Sequence, residues 1–341
     1  MAERITAPVV PEQHFRDDAP GDGRARRPAA EHIRSHHARI GDVDAHWLAA
    51  GRGSPVVLVH GLGNSSLVWR RVIQGLAPHH LVIAPDLPGF GHSSPARRRP
   101  LLRAYDEFLA ELIERAAPGQ RAAVVGNSVG GAVALRLAAT HPALVSRLVL
   151  VDPAGVGQGI PAWWSLVRFE PLVRLVSAVP LSLTPRPVLE RVIGEAYRRM
   201  AFADPANVSE RSVHLFAERL NSRARIHRFL RNAHDVVDAF RSEVQDLEAP
   251  VDVPVLAIWG RQDRLVPLSD ALALLERIGG LEVRIIDDAG HSPQLEAPEA
   301  FLDAVGPFLD RGALPRSHRH DTSAIRVAAT DGHARGRRAR R

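Results

Sequence analysis

The stretch from residue 122 to residue 135, AAVVGNSVGGAVAL, holds the pattern that decides the fold. Residues 122–125 are an apolar run of strand length, and they lead into the pentapeptide Gly126-Asn-Ser-Val-Gly. The small apolar residues that follow are typical of the start of a helix. The stretch therefore predicts a strand, a tight turn and a helix, with Ser128 in the turn. Glycines on both sides of Ser128 suit such a turn because they leave no side chain in its way.

Similar apolar runs lie on both sides of this stretch, separated by helical patterns. They are nearly continuous and do not alternate with polar residues, which favours strands that are buried on both faces of a parallel sheet. Strands that alternate with helices predict an α/β fold with a mostly parallel, doubly wound sheet. The predicted strands outside the first stretch are residues 55–60, 81–84, 148–151, 255–259 and 283–286.

The alternation is interrupted once, at residues 157–247, where proline-broken helical stretches replace the strands. We interpret this segment as a helical cap inserted over the carboxyl edge of the sheet. The predicted core then consists of residues 34–156 and 248–313. Residues 1–33 and 314–341 show no periodicity, so we expect a disordered leader and a disordered basic tail.

Composition and charge narrow the classes of function. The 341 residues include no cysteine, which excludes disulfides, thiolate metal ligands and a thiol nucleophile. The formal net charge of +6 equals the excess of arginine over aspartate in residues 314–341, so the predicted core is nearly neutral. We therefore expect no nucleic-acid partner, with a salt-dependent contact of the tail as the alternative. No signal peptide or transmembrane run is recognised, which predicts a cytoplasmic protein. The sequence does not indicate an oligomeric state.

A serine hydroxyl attacks only when a base accepts its proton, and the sequence offers one in a fitting place. His291 lies in the loop after the last predicted strand of the core, in Asp288-Ala-Gly-His. Asp263 lies in the loop after the preceding strand. Because the carboxyl ends of parallel strands share one edge, we predict that Ser128 is the nucleophile, His291 the base and Asp263 the orienting acid. Asp152, at the end of another strand, is the alternative acid.

A glycine-rich loop, His60-Gly-Leu-Gly-Asn64, follows the first core strand. Its glycines allow the backbone to bend, so that the amide N–H of Leu62 faces the amide N–H of Val129. We predict that these two groups form an oxyanion hole. The histidine pairs of the chain lack carboxylates at metal-ligand spacing, and we expect neither a metal ion nor a cofactor.

Together these motifs resemble the α/β-hydrolase superfamily across residues 40–309. The resemblance implies the α/β-hydrolase fold, a helical cap after the sixth strand and the three catalytic roles. Serine at position 128 differs from the carboxylate nucleophile of haloalkane dehalogenases and epoxide hydrolases. The motifs are His60-Gly-Leu-Gly, Asp86-Leu-Pro-Gly-Phe-Gly-His-Ser, the turn at Ser128, Gly260-Arg-Gln-Asp and Gly290-His.

Within this superfamily the chain is similar to the meta-cleavage-product hydrolases, which cut carbon–carbon bonds of ring-opened aromatics. Gly126-Asn-Ser resembles their nucleophile turn, and the segment LFAERLN at residues 215–221 resembles their cap. The similarity implies that Arg219 binds a substrate carboxylate. The loop Gly61-Leu-Gly-Asn-Ser and Ser292 after the histidine depart from that group. A general carboxylesterase or lipase-like enzyme keeps the same triad without the features that are missing here.

We therefore expect a serine hydrolase that cleaves an ester-type bond of a small, largely apolar substrate through an acyl-enzyme or gem-diol intermediate. A carbon–carbon bond hydrolase acting on an acidic substrate is one alternative. A catalytically silent hydrolase fold that serves as a ligand receptor is another. The expected substrate-binding residues are Gly61, Asn64, Asn127, Trp163, Trp164 and Arg219.

Overall fold

The computed structural model describes residues 32–97, 101–155, 185–220, 222–239, 251–269, 278, 281–311 and 327–329. Within them, nine strands form one sheet. The strands are β1 (Arg34–Ile40), β2 (Val43–Ala50), β3 (Ser54–Val59), β4 (His80–Pro85), β5 (Ala122–Asn127), β6 (Val145–Val151), β7 (Val255–Gly260), β8 (Glu282–Ile286) and β9 (Val327–Ala329).

The order of the strands in the sheet is β1-β2-β4-β3-β5-β6-β7-β8-β9. The first two strands form an antiparallel hairpin, and β2 is also antiparallel to β4. All the other neighbouring pairs are parallel. The predicted mostly parallel α/β sheet is confirmed.

Helices cover both faces of this sheet. The α-helices of the described residues are α1 (Arg70–Leu76), α2 (Leu101–Ala116), α3 (Val129–Thr140), α4 (Arg186–Ala201), α5 (Glu210–Glu218), α6 (Arg223–Ala239), α7 (Pro293–Glu296) and α8 (Pro298–Leu309). On β5, Val124 packs with α2 and α3 in one apolar cluster. The next residue, Val125, packs with α1 and α8 in a second cluster. Burial on both faces explains why the strand sequences are continuously apolar.

Three helices, α4, α5 and α6, lie between β6 and β7, where the sequence predicts the cap. They include a small apolar cluster of their own, to which Phe202 and Val213 belong. Trp163 and Trp164, which we expected to contact substrate, lie outside the described residues. No described helix has both the length and the apolarity needed to cross a membrane.

Three residues of the tail that we expect to be disordered, residues 314–341, form a strand. Val327–Ala329 forms β9, which pairs in parallel with β8 at the edge of the sheet. Three small apolar residues in an otherwise arginine-rich segment can satisfy the open hydrogen-bonding groups of an edge strand. The leader up to residue 31 and the rest of the tail lie outside the described residues.

The topology brings the predicted site residues to one edge. Because β3, β5, β6, β7 and β8 run in parallel, their carboxyl ends meet on the same side of the sheet. Each of these strands is followed by a loop that contains one of the polar residues discussed below.

Candidate active site

Ser128 lies in the turn between β5 and α3, with φ +56° and ψ −120°. Residues with a side chain rarely adopt a positive φ, so this turn is strained. The amide N–H of Ser128 donates to the carbonyl oxygen of Val151 at 2.9 Å, and its own carbonyl accepts from Gly131 and Ala154. Its side chain makes no capping hydrogen bond to α3 and is 7% exposed. The hydroxyl is therefore not used to stabilise the helix.

The glycines beside Ser128 are required by close backbone contacts. A Cβ atom on Gly126 would lie 2.2 Å from the carbonyl oxygen of Gly130. A Cβ atom on Gly130 would lie 2.3 Å from the carbonyl oxygen of Val59. The prediction that neither position has room for a side chain is confirmed.

His291 and Asp263 are in direct contact, as the sequence predicts. Nδ1 of His291 lies 2.7 Å from Oδ2 of Asp263. The other carboxylate oxygen accepts the amide N–H groups of Leu265 and Val266, at 2.7 and 3.0 Å. Since a carboxylate faces Nδ1, this nitrogen carries the proton and Nε2 is the basic nitrogen. The arrangement can hold an imidazole in the tautomer that general-base catalysis needs.

The expectation that Asn127 binds substrate is corrected by its surroundings. Its side chain is buried, and Nδ2 donates to the carbonyl oxygens of Val151 and His291, both at 3.1 Å. Its Oδ1 accepts from Nε2 of Gln294 at 3.1 Å. With both amide hydrogens used, Asn127 has no donor left for a ligand. It connects the turn of Ser128 to the loop of His291.

The predicted oxyanion loop packs directly on the turn of Ser128. A Cβ atom on Gly61 would lie 3.0 Å from the Cβ atom of Ser128. The amide N–H groups of Leu62 and Val129 donate no hydrogen bond to any group in the described part of the chain. Val129 is the first residue of α3, so its amide points from a helix N-terminus, where negative charge is stabilised.

His60 fixes the beginning of this loop. Its Nε2 accepts the amide N–H of Leu87 at 2.9 Å, and its Nδ1 donates to the carbonyl oxygen of Gly61 at 2.8 Å. The ring is fully buried, and burial lowers the pKa of His60 to about 4 against the opposing effect of Asp86. His60 is therefore neutral near pH 7 and acts through backbone hydrogen bonds.

Asp86 stabilises the region around the same loop through hydrogen bonds of its carboxylate. Its carboxylate accepts the amide N–H groups of Ser66 and His92, at 2.7 and 2.8 Å, and contacts Nδ1 of His46 at 2.7 Å. Burial alone would raise the pKa of Asp86, but the hydrogen bond with His46 and the neighbouring histidines hold this pKa well below its ordinary value. The motif that begins at Asp86 thus positions the glycine-rich loop.

Arg219 follows α5 and reaches the same loop from the cap. Its Nη1 donates to the carbonyl oxygen of Asn64 at 3.3 Å, and burial lowers its pKa. Within the described residues, neither Glu218 nor any other carboxylate forms an ion pair with Arg219. The guanidinium lines a cavity between the cap and the core, together with Asn64, Ser65, Leu67, Val68, Ser212, Leu215, Phe216 and Leu295.

Tyr197 is a residue that the sequence analysis missed. It belongs to α4, stacks on Phe216 with ring centroids 3.8 Å apart, and its hydroxyl oxygen accepts from Nδ2 of Asn64 at 3.4 Å. Burial raises the pKa of Tyr197 to about 12. No motif surrounds this tyrosine, so the sequence carries no signal for it.

Glu296 was also missed, although it follows His291 by five residues. Its carboxylate accepts the amide N–H groups of Gly290 and Ala203, at 2.9 and 2.6 Å. These bonds hold the loop of His291 and attach it to the end of α4. Burial raises the pKa of Glu296. In the described parts of the chain, no group of three or more His, Asp or Glu side chains is arranged to hold a metal ion.

Comparison with known proteins agrees with this architecture. The family model described as the alpha/beta hydrolase fold matches residues 54–298. The chain is 31% identical over 279 residues to the 2-hydroxy-6-oxo-2,4-heptadienoate hydrolase of Pseudomonas putida, covering 79% of this chain and 94% of that one. It is 28% identical to the pimeloyl-[acyl-carrier protein] methyl ester esterase of Vibrio vulnificus, covering 79% and 99% of the two chains.

A solved structure of a hydrolase also matches this chain. The structure of the 2-hydroxy-6-oxo-6-phenylhexa-2,4-dienoate hydrolase of a Rhodococcus strain matches with a TM-score of 0.62 and 26% identity. The match covers 82% of this chain and 98% of that chain. The named relatives thus include a methyl ester esterase and hydrolases of dienoate acids.

Proposed function

The chain belongs to the α/β-hydrolase fold family, and we propose that within this family it is a serine hydrolase acting on an ester-type bond. Ser128 is the nucleophile, His291 the general base and Asp263 the acid that orients the imidazole. The observation that carries the proposal is the 2.7 Å contact between Nδ1 of His291 and the buried carboxylate of Asp263. The strained turn of Ser128 at the same edge of the sheet supports it.

In the first half of the reaction, Nε2 of His291 takes the proton of the Ser128 hydroxyl as Oγ attacks the carbonyl carbon of the ester. The carbonyl oxygen becomes an oxyanion, which accepts hydrogen bonds from the amides of Leu62 and Val129. The imidazolium then donates its proton to the leaving alcohol, and an acyl group remains on Ser128.

In the second half, His291 removes a proton from water, and the resulting hydroxide attacks the acyl carbon. The proton returns through the imidazolium to Ser128 Oγ, which leaves as the carboxylic acid product forms. Asp263 stays ionised and stabilises the imidazolium in both halves. Leu67, Phe216 and Leu295 line a cavity beside Asn64, and this apolar lining suits a largely apolar part of a substrate that extends from Ser128 past the glycine-rich loop.

Arg219 favours a second candidate, a carbon–carbon bond hydrolase of an acidic substrate. A partly buried guanidinium such as that of Arg219 is costly unless it is paired, and a substrate carboxylate would offer two parallel hydrogen bonds. In this reaction water adds to a ketone to give a gem-diol, whose breakdown cleaves the carbon–carbon bond. The relatives that are named as dienoate hydrolases support this alternative.

A fluorophosphonate probe tests the serine chemistry directly. We expect the wild-type protein to be labelled and Ser128→Ala to remain unlabelled. The control is Ser54→Ala, at the amino-terminal end of β3 and away from the edge that bears the site, which should be labelled like wild type. Turnover is then compared between p-nitrophenyl esters of increasing chain length and a vinylogous 1,5-diketone acid. If the protein neither reacts with the probe nor turns over any of these substrates, the proposed function is wrong, and the result favours a ligand receptor.

A further inference from the structure

Asp152 is a buried carboxyl group to which the reaction above assigns no role. It follows β6 with φ +43°, a conformation that side chains rarely adopt, and it is fully buried. Its amide N–H donates to the carbonyl oxygen of Ile258 at 3.0 Å, and its Oδ1 accepts the amide N–H of Gly260 at 2.9 Å. These two bonds fix Asp152 against the end of β7, where the loop that carries Asp263 begins.

The second oxygen of Asp152, Oδ2, has no protein donor within the described residues. The carboxyl group of Asp152 lies within hydrogen-bonding reach of the carboxyl group of Asp263. Two ionised carboxylates cannot share a hydrogen bond because neither has a hydrogen to donate. A proton on Asp152 resolves this, since Oδ2 then becomes a donor.

The charges around Asp152 favour that proton. Asp263, on the loop after β7, and Glu296, on α7, are the carboxylates that face it, and His291 is in contact with Asp263. Among the described residues, no cationic side chain contacts the carboxyl group of Asp152. Burial, followed by the negative charge of Asp263, raises the pKa of Asp152 well above its ordinary value.

We propose that Asp152 is a positioning residue, a neutral carboxylic acid that donates a hydrogen bond to the carboxylate of Asp263 and holds it in place for His291. The inference rests on the proposed function. A carboxylate has about four acceptor sites, and Leu265, Val266 and His291 occupy three of those on Asp263. Asp152 fills the fourth. The pair of carboxyl groups then carries one negative charge.

The chain offers a matched pair of variants. In Asp152→Asn the amide oxygen still accepts from Gly260 and the amide N–H still donates to Asp263, so neither charge nor hydrogen bonding changes. Asp152→Ala removes the donor and leaves Asp263 with an unfilled acceptor site. A carboxylate that loses a donor stabilises a neighbouring imidazolium more strongly, so the imidazole stays protonated to higher pH.

The experiment follows the His291 imidazole by NMR in ¹⁵N-histidine-labelled protein, with the His291→Gln spectrum as the assignment. Wild type and Asp152→Asn should titrate with midpoints within about 0.3 pH unit of each other, and Asp152→Ala should titrate about half a unit higher or more. The acid limb of the kcat/KM profile should move in the same way, and Asp152→Asn should keep kcat within about threefold of wild type.

Two results would overturn the proposal. A midpoint for Asp152→Asn about one unit below wild type would show that the variant removed a negative charge, so that Asp152 is ionised in the native protein. Identical midpoints in all three proteins would show that Asp152 does not act on the triad. Because the titration needs no turnover, it decides this question even if the fluorophosphonate experiment rejects the proposed function.

Discussion

Asn127 donates a hydrogen bond from its side-chain amide to the backbone carbonyl oxygen of His291, at 3.1 Å. Asn127 precedes the proposed nucleophile, and His291 is the proposed base. The bond therefore joins two loops that come from distant parts of the chain and fixes the position of one relative to the other.

Removing this bond should disturb catalysis more than folding. Asn127→Ala leaves the carbonyl oxygen of His291 without its donor and removes one of the two donors to the carbonyl oxygen of Val151, which costs about 1–3 kcal/mol of the free energy of unfolding. We expect kcat/KM for a p-nitrophenyl ester to fall roughly 10–100-fold, because a small displacement of the base misaligns the reaction. Gln294→Leu is the control, since it contacts Asn127 and leaves the bond to His291 intact. Equal losses in the two variants would contradict this role.

Asp263→Asn should remove activity without unfolding the protein. The asparagine oxygen still accepts from Leu265 and Val266, but its amide N–H faces Nδ1 of His291 and favours the wrong tautomer. We expect kcat to fall by about 10⁴, while the urea midpoint of unfolding changes little. A loss of less than about tenfold would show that Asp263 does not orient the base.

The contribution of His60 to stability should fall as the pH is lowered from 6.5 toward 4, whereas the raised pKa values of Asp152 and Glu296 act in the opposite direction. An unfolded histidine binds a proton below about pH 6.5, whereas burial lowers the pKa of His60 to about 4. At this residue the unfolded chain therefore binds more protons within this window, and His60 by itself contributes a loss of about 3 kcal/mol. His36, His37 and His92, whose pKa values are also lowered, act in the same direction.

His60→Gln tests this assignment. Glutamine can accept from Leu87 but does not titrate, so the variant should be less stable at pH 7.5 and lose less stability between pH 6.5 and 4. Urea unfolding at four pH values measures both effects. A pH dependence equal to that of wild type would show that the titration belongs to other histidines.

Arg219→Ala distinguishes the two enzymatic candidates. If the substrate brings a carboxylate, loss of the charged contact should cost about 1.5–3 kcal/mol of transition-state binding, or roughly 10–100-fold in kcat/KM for the dienoate acid. Hydrolysis of a neutral ester should change less than about threefold. Arg225→Ala, on the neighbouring helix α6, is the matched control. Equal and small effects on both substrates would assign Arg219 to the structure of the cap.

Local sequence predicted the elements of the fold well, because each depends on residues that are close in the chain. The turn at Ser128 needs glycines at Gly126 and Gly130, and both are visible in the pentapeptide. The edge at which the loops meet follows from the parallel pattern, whereas the order of the strands is known only from the structure. β9 was missed because its three residues are too few to stand out from an arginine-rich tail.

The roles of Asn127, Tyr197 and Glu296 could not be predicted in this way. Asn127 was expected to bind substrate, and its partners are known only once β6 and the loop of His291 lie beside it. Tyr197 and Glu296 contact residues that are distant in the chain, or backbone groups that carry no side-chain signature. Their interactions depend on which loops become neighbours.

The sequence by itself determined the parallel sheet, the place of the cap and the identities of Ser128, Asp263 and His291 as candidates, because hydrophobic periodicity and glycine spacing are local properties. Only the tertiary structure decided that Asp263, and not Asp152, contacts His291. Both acids follow strands that end at the same edge, so the pattern fits either of them. The choice depends on the direction of each side chain, which is set by hydrogen bonds to Gly260 for Asp152 and to Leu265 and Val266 for Asp263.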